Sequence, residues 1–317
     1  MSVATLPEIA DIRERIADRD AAEAKASAAQ LKSRVPHVRP LSEVADNFID
    51  YVQNPDGRIM LGIHELDLMM RGTGKGDLTF VFGQVQQGKT WVALQSVVHN
   101  REKHILYVTP DEIAEDVLVK LLCIKHGLRR RDFEDRIKAK DNDAVRLLRK
   151  AATKEFPNLS VIDTSITLKD IAGVRHKLED LRQRELDLVM IDYLGSIPGF
   201  TDEGAAAKGV KAFTKLERLP VICIQQSHKN EEKRGKVPRI HDMVWGGERE
   251  ATFMIGVCQR ADNESLSRQM RDQYKNTITL SLCKNKRGET TVVDMFFDGA
   301  TGKIRSLRAD DNLRKAS

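Results

Sequence analysis

Short apolar runs recur through most of the chain, separated by longer stretches of mixed polar and apolar residues. The runs at residues 78–82, 104–108, 159–162, 186–191, 221–224, 253–258, 278–283 and 291–297 have strand length and favour β structure. Helical stretches at 89–100, 114–126, 141–155, 168–184 and 205–219 separate the earlier runs. Strands alternating with helices predict an α/β fold with a mainly parallel central sheet. The final runs follow one another closely, which predicts antiparallel strands at one edge. The polar gap 261–276 reads as a helix or loop outside the sheet, and no internal repeat is present. Residues 8–34 differ: they are rich in Ala, Glu, Asp, Arg and Lys and contain neither Gly nor Pro. These are helix formers. Ile9, Ile12 and Ile16 form one narrow apolar stripe, and by composition the segment is a solvated leader. Val35-Pro36 and Arg39-Pro40 break it. The expected division is an N-terminal helical arm and linker over 1–40 and one α/β domain over 41–317.

Composition narrows the class. Of 317 residues, 41% are hydrophobic and 31% charged, enough apolar content for a buried core. The net charge of +5 permits an anionic partner without demanding one. No run of about 18 apolar residues occurs, so a helical membrane span is not expected. The first residues lack the basic-then-apolar profile of a secretory signal. Cys123, Cys223, Cys258 and Cys283 make no CxxC pair, which argues against a zinc ribbon or a disulfide framework. Reduced thiols in the cytoplasm are the simplest reading. His228 and His241 lack metal-ligand spacing.

The chemistry begins at Gly83-Gln84-Val85-Gln86-Gln87-Gly88-Lys89-Thr90, followed by Trp91. This is G-x-x-x-x-G-K-[ST] between a predicted strand and a predicted helix, the context a phosphate-binding loop needs. Backbone N–H groups and the helix N-terminus favour phosphate. Lys89 is expected on the β- and γ-phosphates and the Thr90 hydroxyl on Mg²⁺. A second signal is the apolar strand 186–191 that runs into Asp192, a candidate metal-holding acid at the carboxyl end of a parallel strand.

Several segments carry a resemblance. Residues 58–68 followed by Gly74-Lys-Gly-Asp-Leu, the loop itself, Met190-Ile-Asp-Tyr-Leu194, the strand and tail at 219–229, Trp245-Gly-Gly-Glu-Arg-Glu-Ala-Thr252 and Lys284-Asn-Lys-Arg-Gly288 occur in that order. Over roughly residues 57–306 the chain resembles the ATPase domain of DnaB-type replicative helicases, within the RecA-like group. The resemblance implies a RecA-like P-loop core, with ATP and Mg²⁺ bound between subunits of a homo-oligomeric ring, a hexamer. Gln226 would sense the γ-phosphate. The family's catalytic glutamate falls at Asp111 by alignment, with Glu112 beside it; either could orient the attacking water, and either could cap the following helix. Lys284, Lys286 and Arg287 stand where the family carries a basic finger acting on the neighbouring subunit's nucleotide, or form a solvated turn. The arm at 8–34 corresponds to a linker helix that docks on the adjacent subunit. The missing N-terminal domain suggests a phage- or plasmid-type version.

In RecA-like proteins the loops after the strand ending in the metal-holding acid, here Asp192, and after the strand ending in the sensor glutamine, here Gln226, contact DNA. Here they are the glycine-rich 195–209 and the basic 227–239. The second carries Lys229, Lys233, Arg234, Lys236 and Arg239 against Glu231 and Glu232, which suits contacts to backbone phosphates, or a solvated charged face. The expected activity is an ATP-dependent helicase or translocase on single-stranded and forked DNA in replication, in the cytoplasm of a bacterial or phage-infected cell, with other replication proteins as partners and no membrane. The alternatives are a RecA/RadA-type recombination or branch-processing ATPase, a structure-specific nuclease on the same core, and an ATP-dependent loader without motor activity.

Overall fold

The computed structural model describes residues 39–227, 231–243, 247–308 and 311. The helix expected over 8–34, Lys229, His228 and Trp245 lie outside the described residues. The chain divides into two units after Gln53, and each is described by itself. Of the first, the described part is helix α1 (Leu41–Gln53), which follows Pro40. Leu41, Val44, Phe48, Ile49 and Val52 recur at helical spacing, and all are exposed.

The second unit is built on one sheet. Its strands are β1 (Leu78–Gly83), β2 (Ile105–Val108), β3 (Leu159–Ile162), β4 (Leu188–Asp192), β5 (Val221–Gln226), β6 (Phe253–Cys258), β7 (Thr277–Asn285), β8 (Thr291–Asp298) and β9 (Lys303–Ser306). They lie in the order β3-β2-β4-β5-β1-β6-β7-β8-β9. From β3 to β6 every pairing is parallel, and from β6 to β9 every pairing is antiparallel. The predicted parallel centre and antiparallel edge are both present. The strand β9 escaped sequence reading because it is four residues long and only Ile304 is buried.

Helices α2 (His64–Met70), α3 (Lys89–His99), α4 (Ala114–His126), α5 (Arg130–Lys138), α6 (Asn142–Lys150), α7 (Leu168–Arg182), α8 (Glu203–Leu216) and α9 (Arg268–Gln273) complete the described part. The helix expected over 141–155 ends as an α-helix at Lys150 and continues as a wider π turn, Ala151–Glu155. Local signals set other ends. Thr167 and Asp170 form a capping box at the start of α7, and Asp202 accepts from Ala205 N (2.8 Å) at the start of α8.

The strands explain the two cores. Along β1, Leu78, Phe80 and Phe82 face one apolar cluster, with Ile171, Ala207 and Val210, while Val81 faces the other, with Val92, Leu94 and Leu121. In β4, Val189 and Ile191 join the first cluster and Leu188 and Met190 the second. Strands buried on both faces read as continuous apolar runs, which is why these were legible. All four cysteines are free thiols, and burial pushes Cys258 up to about 12 and Cys283 up to about 11. Among the described residues no helix is long and apolar enough to cross a membrane.

Ahead of β1, a turn is fixed by one carboxylate. Asp67 accepts from Leu61 N (2.7 Å), Gly62 N (2.9 Å) and Ile63 N (3.1 Å). Burial raises the Asp67 pKa, and the three amides oppose it. Leu61 and Ile63 belong to the core, so water is a poor replacement acceptor here. Asp67→Ala is therefore expected to lower stability by about 3 kcal/mol, read as a fall in melting temperature. An unchanged melting temperature would show that the three amides find other partners.

Candidate active site

Strand β1 ends at Gly83, and α3 begins at Lys89, so the loop between them sits at the carboxyl end of the central strand. Gly88 has φ +96°, and a Cβ there would lie 2.9 Å from Ile278 Cδ1. Both the backbone angle and the space require glycine. The turn aims the N-terminus of α3 at the loop's concave side, a favourable place for an anion. The Lys89 side chain is mostly buried, and its Nζ donates to the Gln84 carbonyl (2.7 Å). Burial pushes the Lys89 pKa down to about 8, against the Asp192 charge, which raises it.

Asp192 ends β4, one strand beyond β5 from β1. Its Oδ2 accepts from Thr90 Oγ1 (2.9 Å) and from the Tyr107 hydroxyl (2.9 Å). The two sequence candidates for metal, far apart in the chain, are thus in contact. Burial raises the Asp192 pKa, and the Thr90 and Tyr107 hydroxyls act against it. Burial, then the Asp192 charge, holds the Tyr107 proton well above its usual range. A buried carboxylate beside a hydroxyl offers hard oxygen ligands, which fit Mg²⁺. Among the described residues no cluster of three or more His, Cys, Asp or Glu side chains could hold a metal. A divalent ion here would take its other ligands from phosphate and water, as Mg²⁺ prefers. Tyr107 was missed by sequence reading because its hydroxyl lies inside an apolar run, where tyrosine reads as core.

After β2, the resemblance puts the family's catalytic acid at Asp111 with Glu112 beside it, and the fold gives the two candidates different surroundings. Asp111 is exposed, and its charge acts on Tyr193. Glu112 is half-buried, and its charge acts on both Asp192 and Tyr107. Lys120 Nζ donates to Glu112 Oε1. Glu112 Oε2 is buried and has no hydrogen-bond partner among the described residues. Gln226, at the end of β5, lies opposite Gly83 in the register, and Ser227 N donates to the Gly83 carbonyl (3.0 Å).

The basic segment at 284–287 is elsewhere. Thr79 pairs with Phe253, and Phe253 pairs with Asn285. The segment therefore sits at the start of β1, whereas the loop follows its end. The gap along the strand from Thr79 to Gly83 is roughly 13 Å at about 3.3 Å per residue, beyond the reach of one side chain. Lys284 Nζ donates to the Glu248 carbonyl, and burial, then Lys286, pushes its pKa down. Lys286 is exposed, with a long contact to the Arg249 carbonyl (3.5 Å). Arg287 departs from the expectation. Its Nη2 donates to both carboxylate oxygens of the buried Asp77 (2.9 and 2.7 Å), and the guanidinium lies over Phe253 (5.4 Å). That guanidinium is held by its own chain, so it anchors the turn instead of projecting from it.

The two candidate DNA loops also change. A 3-10 turn spans Leu194–Ser196 and α8 starts at Glu203, so only part of 195–209 is irregular. In the second loop, Lys233 pairs with Asp242 (2.6 Å) and Arg234 with Asp262 (3.6 Å). These two acids come from outside the segment, so its positive excess is smaller than its own sequence suggests. Lys236 and Arg239 are exposed. An open cleft of about 1780 Å³ is lined jointly by this loop and by β6 and β7, with Gln84, Gln87, Lys233, Lys236 and Arg239 among its lining residues.

Similarity to known proteins agrees with this geometry. The family model described as DnaB-like helicase C terminal domain matches residues 59–306. A search of curated proteins finds no match. Among solved structures, the ATPase domain of G40P superposes with a TM-score of 0.72 at 17% identity, covering 86% of this chain and 100% of that one. A DnaB-like replicative helicase, from a structure describing its interactions with primase, gives 0.69 at 17% identity, covering 95% and 76%. The KaiC-like protein PH0186 from Pyrococcus horikoshii OT3 gives 0.52 at 15% identity, covering 79% and 99%. At these identities the likeness is one of fold. With the family match spanning most of the chain, the protein belongs to the DnaB-like helicase C-terminal domain family and is an ATP-hydrolysing enzyme of the helicase class.

Proposed function

We propose that this protein is a replicative motor that hydrolyses ATP with Mg²⁺ at a site shared between neighbouring copies, translocates on single-stranded DNA and opens forks as a six-membered ring. The observation that carries the reading is the far-end position of Lys284 and Lys286 relative to their own P-loop. Cations there can serve a phosphate only if it belongs to another copy. The apolar face of α1, exposed among the described residues, supports the same reading, because a stripe of this kind suits docking on a neighbouring subunit. The arm and linker over 1–40 would extend that contact. Replication of bacterial or phage DNA puts this work in the cytoplasm, alongside other replication proteins.

Within the site, residues 83–91 cradle the triphosphate, and Lys89 leaves the Gln84 carbonyl for the β- and γ-phosphates. Thr90 and Asp192 hold Mg²⁺, which when bound neutralises charge on the phosphate oxygens. Tyr107 fixes one Asp192 oxygen by its hydroxyl. Glu112 orients the attacking water and accepts its proton, with Lys120 holding the carboxylate in place. Asp111 is left to the exposed turn. Gln226 senses the γ-phosphate, and Lys284 and Lys286 of a neighbouring copy stabilise the charge that develops on it. Lys229, Lys233, Arg234, Lys236 and Arg239 grip DNA phosphates without regard to sequence.

Lys89→Ala should abolish ATP hydrolysis while leaving the fold intact; wild-type turnover would remove the P-loop assignment. The wild-type protein should also show a pH signature. Lys89 is charged below about 8 and loses its charge above it. Because a triphosphate binds the charged form, affinity should be constant at lower pH and weaken as pH rises through about 8. The limiting slope is about tenfold per pH unit. Titrations with a fluorescent ATP analogue read this directly, and Lys89→Arg should flatten the profile.

Glu112→Gln should lower turnover by about 100-fold or more with little change in ATP affinity, and Asp111→Asn should be much milder. The reverse order would return the role to Asp111. Neutralising Lys233, Arg234 and Lys236 together should weaken oligonucleotide binding across all sequences. It should also flatten the salt dependence by about 0.7 in log–log slope for each DNA phosphate that is no longer neutralised. An unchanged affinity and salt slope would make this loop only a solvated face.

A further inference from the structure

The turn Arg260–Asp262, after β6, touches both the P-loop and the basic loop. Gln87 is 1% exposed, and both ends of its amide are engaged. Its Nε2 donates to Asp262 Oδ2 (2.8 Å), and its Oε1 accepts from Gln259 N (2.7 Å). Gln259 Nε2 in turn donates to the Gln86 carbonyl (3.1 Å). On the other side, Arg234 Nη2 lies 3.6 Å from the same Asp262 oxygen. The backbone is close here as well: a Cβ on Gly235 would lie 2.4 Å from Asn263 N. A buried P-loop amide, one carboxylate oxygen and a guanidinium of the basic loop therefore stand in line.

This arrangement can transmit a shift. Gln87 precedes Gly88, in the part of the loop that closes on phosphate. With its amide held at both ends, a movement of the loop must either carry Asp262 along or break a bond. Asp262 Oδ2 accepts a hydrogen bond from Gln87 and faces the Arg234 guanidinium as an ion pair, so a shift of the carboxylate toward Gln87 weakens its hold on Arg234, and the reverse. We propose that Asp262 is a positioning residue that couples phosphate binding in the P-loop to the grip of the basic loop on single-stranded DNA, by a route separate from Gln226. The proposal rests on the motor reading above. Asp262 and Arg234 are each about one-third exposed, so the pair carries a modest effect, about two- to fivefold. Coupling between sites is typically about 5- to 150-fold in total, so this route supplies a share of it.

The test uses the full chain. The affinity for a labelled oligo-dT is measured with and without a non-hydrolysable ATP analogue, and the ratio of the two affinities is the readout. In Asp262→Asn that ratio should fall by about two- to fivefold, while ATP affinity and hydrolysis without DNA remain at wild-type levels. By reciprocity, the effect of DNA on analogue affinity should fall by the same factor. Arg234→Gln should reduce the ratio equally, the double variant should reduce it no further, and Asp262→Glu, which keeps the charge, should recover part of it. An unchanged ratio in Asp262→Asn, or affinities that fall in parallel and leave the ratio intact, would make the turn a structural support and overturn the proposal. A wild-type protein that does not bind the oligonucleotide would instead overturn the motor reading, and the coupling with it.

Discussion

The site depends on keeping Asp192 ionised where burial favours its proton. Its carboxylate is held by two hydroxyls, from Thr90 and Tyr107, with Lys89 as the nearby cation. Lys89 is under the opposite pressure, since burial weakens its hold on a proton. Each charge is therefore incompletely compensated in the absence of ligand. A polyanion supplies what Lys89 needs, and a divalent cation supplies what Asp192 needs. The ligand pair and the residue pair neutralise one another, which is an electrostatic reason for nucleotide and metal to bind together.

The sheet makes that arrangement possible. β1 lies between β5 and β6, and β4 and β2 follow beyond β5. These strands are parallel, so the P-loop, Asp192, Gln226 and the turn carrying Glu112 all emerge at one edge. Open α/β sheets bind ligands at that edge for this reason. The antiparallel strands do the reverse. β7 runs back along β6 and delivers Lys284 and Lys286 to the opposite edge. A single sheet thus presents the P-loop at one end of its strands and a cationic turn at the other.

The turn is also restrained. Arg287 donates through Nη2 to both oxygens of Asp77, whose Oδ2 also accepts from Gly74 N (2.7 Å) at the entry to β1. The hairpin is thereby tied to the segment that leads into the central strand. Such a restraint gives the neighbouring Lys284 and Lys286 a defined origin on the hairpin. The turn Arg260–Asp262 ties the other edge in a comparable way, through Gln87 and Arg234.

Much of this was legible in the sequence because it is local. The motif Gly83–Thr90 needs only a strand before it and a helix after it. The strands were visible because burial on both faces leaves them apolar at every position. Asp192 stood out as the acid that ends such a run. What the sequence could not decide was every relation that depends on side chains distant in the chain. Asp111 and Glu112 are adjacent acids of similar chemistry; only the path of the chain after β2 leaves one exposed and brings the other under Lys120 and near Asp192. Arg287 looked like one more mobile cation until the fold brought Asp77 to it. The basic loop likewise met Asp242 and Asp262 from outside its own segment. Periodicity and short motifs follow from bonding between neighbours in the chain, so the sequence determines them. The partner of a charge follows from how the strands are ordered in the sheet, and only the tertiary structure decides that.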